Sequence, residues 1–282
     1  PKQLHVSYVH TPMRYAWELQ HDYLRQGGLD RGVKGAMTRY LMHKLRIWDL
    51  RTVNGVDRFI ANSGYVAKRI GKTYRRESDV VHPPVDVDRF RLQREKKDHY
   101  LAVSRFVPYK HTETIVDAFA AMPDKNLVVV GDGPGLKAAK ARATENVTIL
   151  PPQPFDALER QMRDAKAFIF APEEDFGITP VEAQAAGTPV IAYGAGGVLE
   201  TVRDLGQQAP TGLFFDAQTP EAIQEAVLRF EQQGDVIKPE DCRRNALRFA
   251  AGNFRRDYLR TVIEAWLEHG GRADDAASPM VA

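Results

Sequence analysis

Three things are scarce in this chain of 282 residues. Cysteine occurs once, as Cys242, so an internal disulfide framework is excluded and a reducing, cytoplasmic setting is expected. Cys242 stands in the charged run Pro-Glu-Asp-Cys-Arg-Arg, which predicts a packing role rather than a nucleophile. Long apolar runs are missing as well. None approaches the ~18 residues needed to span a bilayer, and the residues given show no signal-peptide pattern. The sequon-like Asn146-Val147-Thr148 is then a coincidence at the start of a strand. The third scarcity is local: Arg25–Arg76 holds 3 acidic residues against 13 basic ones, a net of +10. Residues 1–99 carry 20 Lys/Arg and 11 Asp/Glu, a net of +9, while the remainder carries 19 and 26, a net of −7. Such a basic half suits an anionic surface or substrate. Charge alone leaves open a face that merely solubilises.

Several chemistries are missing too. No Cys/His cluster suggests zinc, and neither a G-x-x-x-x-G-K-[ST] loop nor a G-x-S-x-G elbow is present. Asp86-Val87-Asp88 has the spacing of a metal site, yet it follows Pro83-Pro84 in a polar stretch that reads as a linker, so no metal is expected there.

What is present alternates between two periods. Leu4–His10, Arg58–Ala61 and Asp79–His82 read as strands. Met13–Gln26, residues 33–53 and Tyr65–Tyr74 read as helices, the second from Val33, Met37, Tyr40, Leu41, Leu45, Trp48 and Val53 at helical spacing. Asn62 or Ser63 is the expected cap of the third helix. Three strands leave a doubly wound domain about half built, so a preceding segment is expected. Residues 85–98 read as a linker. Beyond them come six strand–helix units, with strands at 100–103, 127–130, 147–150, 167–170, 190–192 and 212–215. Asp156 and Thr219 are cap candidates. Two helices follow, near 239–249 and 254–269, then a Gly/Ala/Asp-rich tail expected to be disordered. The fold class is α/β, with parallel, doubly wound sheets in two domains. A cleft between two such domains is a natural place for a small ligand.

Candidate chemistry gathers just after strands. Ala171–Ala192 runs strand, acidic turn, helix, strand, and carries Glu174 and Glu182. Free N–H groups at its helix start suit an oxyanion, and Gly177, between Phe176 and Ile178, lets backbone approach a ligand. Carboxylates there could accept hydrogen bonds from sugar hydroxyls, or could be ordinary solvated acids. Arg105 and Lys110, after strand 100–103, could converge on one diphosphate, Arg as a fork and Lys as a point charge. Gly131-Asp132-Gly133-Pro134-Gly135 is only loosely a dinucleotide fingerprint, because Pro134 disrupts it and no acid follows at the usual distance. His10 ends the first strand and could orient a substrate or carry a proton.

Taken together, I-A-N-S, H-P-P-V-D-V-D-R-F, S-R-F-V-P-Y-K, V-V-V-G-D-G-P and E-D-F-G-I-T-P-V-E-A-Q-A-A-G-T-P-V-I-A resemble, in the same order along the chain, the motifs of retaining glycosyltransferase family 4, with its GT-B fold. The opening Y-V-H-T-P-M-R-Y-A-W-E-L-Q-H-D-Y resembles the bacterial mannosyltransferase-like subgroup of polysaccharide biosynthesis. The resemblance covers residues 4 to about 235. It implies a metal-independent enzyme without cofactor, whose donor is a nucleoside diphosphate sugar, GDP-mannose in this subgroup. It implies Arg105 and Lys110 on the diphosphate and Glu174 on the sugar, with Phe176, Gly177 and Ile178 beside it. Glu182 would take the ribose, and Gly131 and Gly133 would border the donor. His10 would lie near the reacting centre and Arg14 toward the acceptor. It divides the chain into an incomplete acceptor-side domain (1–90), a donor domain (91–250), a helix crossing back (251–270) and a tail (271–282). The acceptor would be lipid-linked or a glycan, met in the cytoplasm or at the inner face of the membrane, with the basic 25–76 region on anionic lipid. No nucleic-acid partner is expected. Two other readings stay open: an oxidoreductase or epimerase holding NAD on Gly131–Gly135, and a non-catalytic nucleotide-sugar or lectin-like module. The Gly-rich loop with which family members begin is missing from these residues.

Overall fold

The computed structural model describes residues 3–18, 20–29 and 31–272. The chain divides into two compact units: residues 1–82 with those from Arg255 onward, and Pro83–Phe254. The tail expected to be disordered lies almost wholly outside the described residues.

The second unit is organised by one sheet of six parallel strands. They are β4 (Tyr100–Val103), β5 (Leu127–Val130), β6 (Val147–Leu150), β7 (Ala167–Phe170), β8 (Val190–Tyr193) and β9 (Gly212–Phe215). Their order across the sheet is β6-β5-β4-β7-β8-β9. Numbered within the unit this is 3-2-1-4-5-6, the doubly wound order whose direction reverses beside the first strand. Strand side chains alternate between faces, and both faces are covered. Tyr100, Ala102, Leu127, Val129 and Ile169 meet Ile115 and Phe119 of one helix, α4 (Thr112–Ala120), and Ile223 and Val227 of another, α9 (Pro220–Gln233). Leu101, Val130, Phe168 and Phe170 meet Met162 of α6 (Phe155–Asp164) and Val181 and Ala185 of α7 (Ile178–Ala185). Parallel strands buried on both sides must read as unbroken apolar runs, and Leu127-Val128-Val129-Val130 does.

Two expectations here need correction. Residues 85–98 are not a free linker. Val85, Val87 and Phe90 are buried in the second unit's core. Arg243 of α10 (Pro239–Ala246) donates to the carbonyls of Val87, Phe90 and Ala185. The division therefore falls at 82/83 rather than 90/91, and at 254/255 rather than 250/251. Polar residues dominate that stretch, so three anchoring apolar side chains were outvoted. Asp156 is not a cap either: α6 begins one residue before it, behind Pro154. Thr219 does cap α9, accepting from the Ala222 N–H.

The first unit holds three parallel strands in the order β1-β2-β3: β1 (Val6–Val9), β2 (Arg58–Ala61) and β3 (Asp79–Val80). Its small core is Val53, Val56, Phe59, Ala61, Val66 and Ile70. Ser63 caps α3 (Gly64–Tyr74) by accepting from Val66 N–H at 3.1 Å. Arg58 forks onto Asp79 at 2.5 and 3.2 Å and reaches Glu268 of α11 (Ala251–Glu268) at 2.9 Å. Helix α1 is shorter than expected, Gln20–Gln26, because residues 14–18 form turns. Helix α2 (Gly32–Val53) spans the expected residues, but of its predicted apolar positions only Val53 reaches the core. Val33 is 84 % exposed, Met37 64 % and Trp48 58 %, with Tyr40 and Leu41 also exposed, while Gly35, Asp49 and Val53 are the buried positions.

Candidate functional site

In an open α/β sheet, a ligand binds outside the carboxyl ends of the strands, where the order reverses. In the second unit that point lies between β4 and β7. The loop after β4 carries Arg105 and Lys110. It tightens into a single turn of 3-10 helix, Pro108–Lys110, closed by His111 in the left-handed conformation at φ 53°. Burial holds the His111 imidazole below its ordinary value. Phe106, buried in the core, anchors the loop from beneath and leaves Arg105 exposed.

The loop after β7 carries Glu174. Its carboxylate is paired with the Lys110 ammonium, and both side chains are about four-fifths buried. This is the contact that joins two strand ends across the reversal. The Glu174 backbone is fixed from behind. Its carbonyl accepts from Gly197 N–H at 2.8 Å, and Glu174 bridges to Gly196. A Cβ on Gly196, at φ 80°, would meet the Glu174 oxygen at 2.4 Å, and one on Gly197 would meet the Asp175 oxygen at the same distance. Sequence reasoning passed over Gly194-Ala195-Gly196-Gly197. The available signal was a glycine cluster directly after β8.

Phe176 is buried edge-on to Phe249 at 5.4 Å, so it supports the turn from the core. Gly177 caps α7 at φ 88°, a region side-chain-bearing residues avoid, and Ile178 follows exposed. Glu182 lies one turn into α7, half-buried. Burial raises its carboxyl above the ordinary range, and the Arg89 guanidinium opposes the rise. Arg89 stacks on the Phe155 ring at 3.5 Å.

Gly131 and Gly133 have a different first duty. A Cβ on Gly131 would strike the Ser104 oxygen at 1.9 Å, and one on Gly133 would reach the Phe106 oxygen at 2.7 Å. Phe106 N–H donates to Asp132 O, and Gly135 N–H donates to Phe106 O, each at 2.9 Å. These glycines seat the loop that presents Arg105 and Lys110. The same pattern read from sequence as a loose dinucleotide fingerprint is thereby accounted for without a dinucleotide. Asp86 and Asp88 are exposed, and no group of three or more potential metal ligands occurs among the described residues.

The structure thus gathers Arg105, Lys110, Gly131, Gly133, Glu174, Phe176, Gly177, Ile178 and Glu182 on the second unit. His10 and Arg14 belong to the first. His10 is exposed at the exit of β1, its ring edge-on to Tyr8 at 5.3 Å. Tyr8 in turn donates to Val81 O at 2.9 Å. Arg14 lies in the turn that follows, half-buried.

Comparison with known proteins bears on the fold and the family. The chain is similar to D-inositol 3-phosphate glycosyltransferase of Mycobacterium sp. (strain KMS), at 33 % identity over 184 residues, which is 56 % of this chain and 42 % of that protein. The Mycobacterium leprae (strain Br4923) protein of that name is also 33 % identical, over 56 % of this chain and 43 % of its own. The chain therefore matches about two-fifths of the length of these curated relatives. Among solved structures, Anabaena Alr3699/HepE in complex with UDP and glucose superposes with a TM-score of 0.70 at 16 % identity, over 93 % of this chain and 72 % of that one. Sucrose-phosphate synthase from Thermosynechococcus elongatus gives 0.70 at 18 %, over 93 % and 68 %. At such identities the superpositions establish the shared GT-B fold. The profile described as Glycosyl transferases group 1 matches residues 85–249, more than half of the chain and nearly all of the unit that holds Lys110 and Glu174. The chain belongs to the glycosyl transferases group 1 family.

Proposed function

We propose that the chain is the catalytic portion of a retaining glycosyltransferase that moves a hexose from a nucleoside diphosphate sugar to a hydroxyl acceptor. The observation that carries this is the Lys110–Glu174 pair at the reversal of the sheet, with Arg105 on the same loop as Lys110. In this reading the donor's diphosphate draws Lys110 toward itself and gains Arg105 as a second cation. Glu174, relieved of Lys110, accepts hydrogen bonds from the sugar hydroxyls. Glu182 takes the ribose, and the backbone of Phe176, Gly177 and Ile178 lines the sugar. As the glycosidic C–O bond breaks, negative charge grows on the leaving diphosphate, and the two preorganised cations offset it. The acceptor hydroxyl attacks the same face and gives its proton to the leaving phosphate oxygen, yielding the glycoside and a nucleoside diphosphate. His10 and Arg14 serve the acceptor side. No metal or cofactor enters these steps.

For the donor we favour GDP-mannose, on the likeness of Tyr8–Tyr23 to polysaccharide mannosyltransferases. The Anabaena neighbour was solved in complex with UDP and glucose, so the decisive test compares both. Thermal unfolding is followed with GDP, GDP-mannose, UDP, UDP-glucose and NADH, since a ligand of the native state alone raises the midpoint. A rise with GDP and GDP-mannose supports the reading. A rise with NADH alone overturns it, and donor binding without hydrolysis or transfer would favour a binding module.

We further propose that the acceptor is met at an anionic lipid surface, through α2. At 100° per residue Val33, Met37, Tyr40, Leu41, Lys44, Trp48 and Arg51 share one stripe about 100° wide, and those five apolar side chains are exposed. Lys34 and Arg39 add exposed cations, and the helix's one acid, Asp49, is buried. No helix among the described residues is long and apolar enough to cross a membrane. Exposed apolar side chains interspersed with cations suit adsorption to an anionic lipid surface, each well-placed cation adding about 1 kcal/mol there. Vesicle sedimentation checks it: binding should require phosphatidylglycerol and weaken with salt. Equal partition onto phosphatidylcholine would remove the claim.

A further inference from the structure

One buried charge in the first unit has no part in the chemistry above. Arg69, on α3, is 5 % exposed. Its Nη1 donates to Thr11 Oγ1 at 2.6 Å, and its Nη2 pairs with Glu18 Oε2 at 2.9 Å. Thr11 directly follows His10. Glu18 ends the run of turns that contains Arg14. One guanidinium therefore grips both ends of the loop that carries the two acceptor-side candidates. The Glu18 end of the loop has a further tie. Trp17 Nε1 donates to Asp49 at 2.8 Å, and the Tyr74 hydroxyl donates to the same carboxylate at 3.0 Å. Ala16 is wholly buried between these ties.

A buried cation is an expensive way to stabilise a core, and a well-packed apolar side chain of similar volume often does as well or better. What arginine supplies and methionine cannot is a rigid planar fork whose one nitrogen hydrogen-bonds Thr11 while the other is ion-paired with Glu18. Lysine would keep the charge but lose that fork. Thr11 and Glu18 are seven positions apart and contribute nothing to the six-residue apolar core of this unit. The fork is thus spent on loop geometry rather than on packing.

We propose that Arg69 is a positioning residue for the acceptor side: by clamping Thr11 and Glu18 it sets where His10 and Arg14 are presented. The proposal rests on the glycosyltransferase reading for its purpose, but the clamp itself is testable without it. Three variants are compared with the parent chain: Arg69→Met, Arg69→Lys and the double variant Thr11→Val/Glu18→Gln, together with Arg69→Met added to the double variant. Circular dichroism first establishes that each folds; the double variant leaves Arg69 in place and serves if Arg69→Met does not. Amide exchange is then read for residues 10–18, and binding of GDP and UDP by calorimetry. Turnover of GDP-mannose and UDP-glucose is measured with octyl mannoside as the acceptor probe.

Exchange across residues 10–18 should rise at least tenfold in Arg69→Met and in the double variant. Because all act through one clamp, the combined variant should add nothing further. Nucleotide affinity should stay within twofold while turnover falls at least tenfold, and Arg69→Lys should recover only part of either. Unchanged exchange in folded Arg69→Met overturns the proposal, as does strict additivity in the combined variant. So does raised exchange with full turnover. A parent chain that binds neither nucleotide and turns over neither donor overturns the glycosyltransferase reading instead. The exchange results then still decide whether Arg69 holds the loop.

Discussion

The apolar residues of the two units have opposite fates. In the second unit, Leu127 and Val129 pack toward one layer of helices and Val130 toward the other. In the first, the apolar stripe of α2 lies exposed. Spacing reports the period of an element, and so it found the helix and the strands alike. It does not report which side is covered. Coverage is legible in the second unit because strands buried on both faces leave nothing polar to alternate with. In α2 the cations between the apolar positions were the sign that its stripe is not covered by the core.

The comparison breaks most directly on stability. Phe168, wholly buried among Leu101, Phe170 and Val190, should cost about 3–5 kcal/mol when cut to alanine. Met37→Ala or Val33→Ser in α2 should stay within about 0.5 kcal/mol. Urea unfolding of the three variants checks both halves. A loss of more than 2 kcal/mol from Met37→Ala would mean that α2 packs against something in solution, and the lipid-surface proposal would fall.

Cations sharpen the same contrast. Lys110 works through a specific partner, so Lys110→Ala or Glu174→Ala should lower turnover on the order of 10²–10³-fold, as loss of a preorganised electrostatic group does. Vesicle binding should not change. Reversing Lys34, Lys44 and Arg51 to glutamate should do the opposite, abolishing sedimentation with phosphatidylglycerol and sparing turnover on a water-soluble acceptor. Full activity in both Lys110→Ala and Glu174→Ala would sink the functional reading.

Legibility followed chemistry in the site as it followed coverage in the fold. Strands β4 to β7 were readable residue by residue. Lys110 and Glu174 could be nominated because cations and acids after strands are visible in one dimension. Their pairing could not be, since it depends on β4 and β7 being neighbours although β5 and β6 intervene in sequence. The Gly131 turn shows the reverse case. A glycine pattern suggests close approach but does not name the approaching group, and here that group is Ser104 O of the neighbouring loop. Arg69 was invisible for a third reason. Nothing in Ala-Lys-Arg-Ile-Gly tells which of two adjacent cations turns inward.

Gly131→Ala follows from that contact. A Cβ 1.9 Å from Ser104 O must displace the loop bearing Arg105 and Lys110, at about 1–3 kcal/mol for overpacking. Nucleotide affinity should weaken in step, measured by calorimetry with GDP and UDP. If stability falls and affinity does not, the loop is not the diphosphate clamp.

The smallest expected effect concerns Glu182, and its sign is fixed by burial. Its carboxyl is raised in the folded chain, chiefly because burial penalises the charged form. Between the ordinary glutamate value and the raised one, the folded state holds more protons than the unfolded state, so stability falls as pH rises through that window. The contribution is present in full at lower pH and is gone once Glu182 ionises in the folded state. Glu182→Gln cannot ionise. It should therefore flatten this part of the stability–pH curve and leave the protein slightly more stable at neutral pH. If the carboxylate takes a ribose, the same substitution should weaken nucleotide binding. Burial would then be tolerated at this position for the ligand's sake, whereas at Phe168 it serves the fold alone. A variant equal to the parent in nucleotide affinity, yet more stable at neutral pH, would show Glu182 to be a buried acid without a ligand, and would confine the donor site to the ends of β4 and β7.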